Sequence, residues 1–279
     1  MSEEILRALM QLFAIIAKQD EGVESNEREY VVNFLMQQVN DEAVEEYIKL
    51  FDQHAGLNEE KEEGADEEDG QPKKVKLTSV RDSVKILGIC KKINKTLTQK
   101  QKVVVLVRLF ELVNADRKFT DQRMAIINTV AEVFKLTKEE FTDIENFVVN
   151  NEVNELDYSS ILTIHDKQEH GEHCKHIPTE ALNGYLFILQ IKSEDLYFLR
   201  YTGNEDILLN GLPINNKRIY LFANGSSIKL PKGKPIYYTD VVAHYLADST
   251  TVRVSYSAEN IGFTFKSGDI GLRDISFQE

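Results

Sequence analysis

The feature that most constrains this chain is a change of hydrophobic period near residue 150. Before it, apolar residues recur at spacings of three and four; after about residue 155 they alternate. A helix buries one stripe at a period near 3.6, and a strand buries one face at a period of two. A chain carrying the two patterns in succession must therefore build a helical part and then a sheet part.

The first helical stripe is Leu6, Leu9, Met10, Phe13, Ile16 and Ala17. Six more follow, in Tyr30–Val39, Ala43–Phe51, Val80–Ile93, Val103–Val113, Met124–Phe134 and Phe141–Val149. Between the third and fourth helices lies NEEKEEGADEEDGQPKK, the heart of an acidic loop over 57–74. With one alanine as its only apolar residue, it cannot offset its own ordering entropy, and mobility is expected. A partner-binding acidic tract is the alternative reading.

At 279 residues the chain is long for one core, so two or more domains are expected. Its 33 Lys plus Arg stand against 46 Asp plus Glu, a net charge of -13. That balance argues against tracking a phosphate backbone, and against direct contact with an anionic membrane. No apolar run approaches the roughly 20 residues that span a bilayer. The opening MSEEILRALM has no basic region before an apolar one, so it is no secretory signal. Cys90 and Cys174 lie in dissimilar settings and suggest no disulfide framework. A cytoplasmic location is expected.

Two stretches of the helical half match. LFAIIAKQDEGVESNERE and LFELVNADRKFTDQRMA each run an apolar helix into an Asp, then three residues later a hydrophobe, a polar cap and a new helix. Asp20 corresponds to Asp116 and Val23 to Phe119, about ninety-six residues on. The hydrophobe is expected to pack as a staple, and Ser25 or Thr120 to cap the next helix. An internal duplication and a pseudo-symmetric bundle follow.

In the second half, GYLFILQI, DLYFLRY, DILLN, RIYLFA and SSIKLP are short β-branched and aromatic runs separated by turn signals. They predict a compact β-sandwich. A last β segment, TVRVSYSAENIGFTFKSGDIGLRDISF, follows Asp248. Ser226, Asp240 and His244 sit close in sequence, but no G-x-S-x-G surrounds the serine, and no catalytic constellation is expected.

Residues 1–150, on the two turns Asp20–Val23 and Asp116–Phe119, resemble a TerB-like helical domain, a family named from tellurite resistance. Residues 184–238, with ILLNGLPI and RIYLFANGSSIKL, resemble a divergent forkhead-associated (FHA) sandwich. The segment VSYSAENIGFTFKSGDIGLRDISFQ is similar to the first antiparallel hairpin of an ATP-binding cassette, which leads into a phosphate-binding loop. No G-x-x-x-x-G-K-[ST] occurs in the 279 residues, so the cassette is expected to be cut before that loop. The order of the three segments resembles a group of bacterial ABC transporter subunits in which a membrane domain follows the cassette.

The TerB resemblance implies metal binding by acids at the first turn, and carries Asp20 and Glu27 over as ligands for Ca²⁺ or another divalent cation. The second turn has Arg117, Lys118 and Arg123 where acids would be needed. The competing reading of the acids is helix-start chemistry. The cassette resemblance makes Phe265 the aromatic that stacks on adenine, against a plain hairpin aromatic. The FHA resemblance implies phosphothreonine recognition. No Ser-x-x-His occurs, however, and Arg200 has no glycine before it, which leaves scaffolding as the expectation. Independently of any family, His165, His170, His173, Cys174 and His176 gather in HDKQEHGEHCKH at zinc-compatible spacing. The segment is polar and joins two domains, so incidental binding is favoured over a structural site.

The sequence thus predicts a multi-domain α+β chain: a TerB-like helical bundle at 1–152, an FHA-like β-sandwich at 153–247 and a truncated cassette hairpin at 248–279. The expected role is a non-enzymatic regulatory and scaffolding region of an ABC transporter ATP-binding subunit, at the inner face of the cell membrane. ATP and Mg²⁺ would belong to the intact protein, and the partners would be the cassette, its membrane domain and a protein docked on the helical or FHA-like domain. The alternatives are a metal-binding stress-response sensor and a phosphopeptide-binding module.

Overall fold

The computed structural model describes residues 3–19, 22–57, 80–167, 172–246 and 257–278. The acidic tract expected at 57–74 lies, beyond Leu57, outside them. Seven helices come first: α1 (Glu3–Ala17), α2 (Ser25–Leu35), α3 (Asp41–Ala55), α4 (Val80–Thr96), α5 (Gln99–Asp116), α6 (Asp121–Val133) and α7 (Lys138–Val149). These are the seven that the periodicity predicts. Side-chain caps set several starts. Asn40, Thr98, Thr120 and Thr137 each accept the backbone N–H three residues on, opening α3, α5, α6 and α7. The cap of α2 is Glu24 rather than Ser25, which lies inside the helix. Glu27, three residues into α2, accepts the Glu24 N–H at 2.9 Å and serves the start that Ser25 was expected to cap.

Helix α5 is apolar nearly all round. Val103, Val105, Leu106, Val107, Leu109, Phe110, Leu112 and Val113 are buried, as an interior helix requires. The repeat appears in the packing: α1 lies on α3 as α5 lies on α7, and α1 meets α5 between them. Val23 and Phe119, the paired staple residues, pack against the core.

Among the described residues of the second half, the first nine strands form two sheets. A five-stranded sheet has the order β2 (Lys175–Pro178), β1 (Ile161–His165), β3 (Leu186–Ile191), β4 (Leu196–Tyr201), β7 (Ile219–Leu221). β1 runs parallel to β2, and the other pairs are antiparallel. A four-stranded antiparallel sheet has the order β6 (Leu212–Pro213), β5 (Leu208–Leu209), β8 (Ser227–Lys229), β9 (Ile236–Tyr237). Asn210 and Gly211 join β5 to β6 with φ of 52° and 83°, the positive pair that a two-residue hairpin needs.

Met1–Thr239 forms one compact unit and Asp240–Glu279 a second. In the first, Phe187, Leu189, Phe198 and Ile219 of the five-stranded sheet belong to the same buried cluster as the helices. Packing therefore continues across the boundary expected at 152/153. The second unit takes in most of helix α8 (Tyr238–Leu246) and the hairpin β10 (Ser257–Thr264) with β11 (Ile270–Gln278). No described helix is long and apolar enough to cross a membrane.

Candidate functional site

Three places carry the polar chemistry of the first unit. The first is the crossing of the two repeat turns. Arg123, at the start of α6, is 1% exposed, and Glu27 of α2 is 0% exposed. Arg123 Nη2 lies 3.2 Å from Glu27 Oε1, and Arg123 Nη1 lies 2.6 Å from Asp116 Oδ2 at the end of α5. Nη2 also donates to the Ala17 carbonyl of α1 at 3.4 Å. One guanidinium thus touches α1, α2 and α5 from α6. Beside it, Lys118 Nζ donates to Glu24 at 2.6 Å, another pair across the two turns. Burial pushes the Glu27 carboxyl up to about 7, against the downward pull of the Glu24 N–H and of Arg123.

This geometry bears on the expected metal ligands. Glu27 and Asp116 both face the Arg123 guanidinium, a cation that the protein itself supplies. Asp20 lies outside the described residues. Among the described residues no group of three or more His, Cys, Asp and Glu side chains is arranged to hold a metal ion.

The second place joins helix to sheet. Arg108 and Glu111 are one turn apart on α5 and ion-paired at 2.5 Å. Glu111 Oε1 accepts the Ile219 N–H at 2.7 Å, while Arg108 Nη1 donates to the Ile219 carbonyl at 2.9 Å. Two side chains thereby bond both backbone groups of one residue on β7, the edge strand, much as a neighbouring strand would. Tyr30 Oη donates to Glu111 Oε2 at 3.1 Å and ties α2 to the same point. Its hydroxyl is pushed well above its ordinary range, chiefly by burial and then by the Glu111 charge.

A groove of about 630 Å³ opens beside this staple, lined by α2, the ends of α5 and α7, and the loop before β7. Arg200 of β4 lies in its wall and is 6% exposed. It donates to the carbonyls of Val148 and Asn150 at the end of α7, and lies against the rings of Phe147 and Phe187. The side chain of Asn210 is spent on Ser226 and Ser227, so the residue matched to the FHA turn holds its own hairpin.

The third place is formed by the two ends of the histidine segment, which lie in neighbouring strands. His165 ends β1, and His176 stands on β2, the parallel neighbour. Their rings stack at 4.2 Å, with Tyr185 edge-on to His165 at 5.2 Å. His173 is bonded to Asp157 Oδ2 at 3.0 Å, which raises its pKa. The N–H groups of Glu172, His173 and Cys174 also converge on that carboxylate and help hold it well below the usual range. Cys174 is buried, and His170 lies outside the described residues.

In the second unit, β10 and β11 pair with Phe263 opposite Leu272 and Ile261 opposite Ile275, through register shifts. Phe265 lies just past β10, where its N–H donates to the Asp269 carbonyl, and its ring meets Phe263 edge-on at 4.9 Å. Phe263, Phe265, Ile270, Leu272, Ile275 and Phe277 are all between 41% and 54% exposed.

Sequence reasoning missed the pairing of Glu27 with Arg123 although its signal was present, since the offset that matches Asp20 to Asp116 also matches these two. It also missed the Arg108–Glu111 staple, which depends on a strand more than a hundred residues away. Compared with known proteins, residues 6–146 match the family model described as tellurite resistance protein TerB. Neither the curated proteins nor the solved structures gave a match.

Proposed function

The chain belongs to the TerB family through its helical half, and on that premise we propose that it is a non-enzymatic regulatory and scaffolding region of an ATP-binding-cassette transporter subunit. The observation that carries the reading is the β10–β11 hairpin. Two strands alone are marginally stable in water, and this pair leaves six large apolar side chains about half exposed. Such a hairpin suits a place at the start of a larger sheet, and its sequence is similar to the strand, glycine turn and LRDISF-type strand that open a cassette.

In this reading, ATP and Mg²⁺ are held by the cassette, on the cytoplasmic side of the membrane. Phosphoryl transfer rests on positioning and charge stabilisation at the phosphates, and no phosphate loop lies within residues 1–279. The TerB repeat and the sheets joined to it by the α5–β7 staple would act as one lever or docking body for that cassette. The coding sequence downstream of residue 279 tests the reading. A strand followed by G-x-x-x-x-G-K-[ST] and a helix is expected. A stop codon, or an unrelated sequence, would overturn it.

A further inference from the structure

The groove beside the α5–β7 staple has no part in that reading, yet its walls are chemically biased. Arg117, Arg200, Lys217 and Arg218 all line it, and among the described residues none of the four is ion-paired to a carboxylate. The chain carries a net charge of -13, so uncompensated cations gathered in one concavity run against its average. Of the two acids in the lining, Glu111 is committed to Arg108, Tyr30 and Ile219, and Glu29 is exposed.

Arg200 is the most informative of the four. Its two terminal nitrogens cap the last carbonyls of α7, a structural task that suits a cation. That task leaves Nε, buried, without a hydrogen-bond partner. A guanidinium taken out of water with no counter-charge is costly, and burial alone draws its pKa down to about 10. Helix capping explains neither that nitrogen nor the other three cations. Arg117 is held at the end of α5 in the left-handed region, φ 58°, which a long side chain adopts at a cost. Asn33 and Asn114 add carboxamides to the same lining, the Asn114 Nδ2 already donating to the Val148 carbonyl at 3.2 Å.

We propose that this groove binds a phosphate ester of about nucleotide size. Arginine forks and a lysine match the geometry and charge of a phosphate. Carboxamides offer both donors and acceptors to the edge of a heterocycle. The volume of about 630 Å³ falls within the range of small-molecule sites and exceeds what inorganic phosphate needs.

The test is calorimetric titration of the full chain with AMP, inorganic phosphate and adenosine, repeated for the Lys217→Gln/Arg218→Gln double variant. Both positions lie in the loop before β7 and are outside the core, so the fold should survive, which the melting temperature checks. AMP should bind more tightly than phosphate or adenosine, less tightly as salt is raised, and about tenfold or more less tightly in the variant. AMP binding no tighter than phosphate would overturn the assignment to a nucleotide-sized ligand. No binding of any of the three at millimolar concentration, or equal binding by a folded variant, would overturn the site itself.

Discussion

Glu27 and Arg123 occupy the same place in the two copies of the helical repeat, ninety-six residues apart, and their side chains form a buried ion pair 3.2 Å long. The duplication has kept its backbone plan while the charge at this position differs in sign between the two copies. A pseudo-symmetric crossing brings equivalent positions together, and like charges there would repel in a low-dielectric interior. Opposite charges instead tie the two turns to each other, with Asp116 completing the cluster.

Replacing Arg123 with Met should therefore be among the most damaging single changes in the bundle. It leaves Glu27 and Asp116 buried without their cation, a loss of about 3–5 kcal/mol. Urea unfolding measures it. A loss below about 1 kcal/mol would show that solvent reaches the cluster.

Glu27 should also make the bundle pH-sensitive. Its carboxyl, raised by burial from 4.5 to about 7 beside Arg123, Asp116 and Glu24, holds a proton more tightly in the folded than in the unfolded chain. The resulting stability is fully present below the unfolded value and is lost as pH rises through about 7. Glu27→Gln does not titrate and keeps an acceptor for the Glu24 N–H. The wild type should lose stability relative to that variant between about pH 5 and pH 8. Parallel pH profiles for the two proteins would contradict this.

Glu111→Ala should loosen the joint between helix and sheet. It strips the acceptor from the Ile219 N–H, the Tyr30 hydroxyl and Arg108 together. Buried donors left without partners cost about 1–3 kcal/mol each, with more for the charged one. Hydrogen exchange at the Ile219 amide should accelerate sharply. An amide that stays protected would mean that the staple is decoration.

The exposed hairpin should make the chain associate. Phe263 and Leu272 are register partners, and both are strongly exposed. Apolar strands in that state invite pairing between chains. Light scattering should show self-association that Phe263→Ser/Leu272→Ser relieves. A wild type that stays monomeric at high concentration would argue that the hairpin needs no cover.

Much of this was legible in the sequence. All seven helices of the bundle, the repeat and the final hairpin follow from period, spacing and turn residues, because they rest on local contacts. The Glu27–Arg123 pair was hidden by weighing each turn for its own charge, when the repeat offset brings the two positions together. Polarity disguised β2, whose Lys175 and His176 read as linker residues until β1 is seen beside them. Helix α8 passed unread between strands, although Val241 and Tyr245 stand one helical turn apart. Nothing local announces the staple on Ile219, since its two halves lie on α5 and β7 and meet only in the fold.

The most direct test of the central claim is ATP turnover by the complete gene product, measured with and without residues 1–246. The account predicts hydrolysis in both forms, at rates that differ severalfold, because the cassette does the chemistry and the TerB repeat with its sheets modulates it. No hydrolysis by the complete product, or the same rate in both forms, would contradict it.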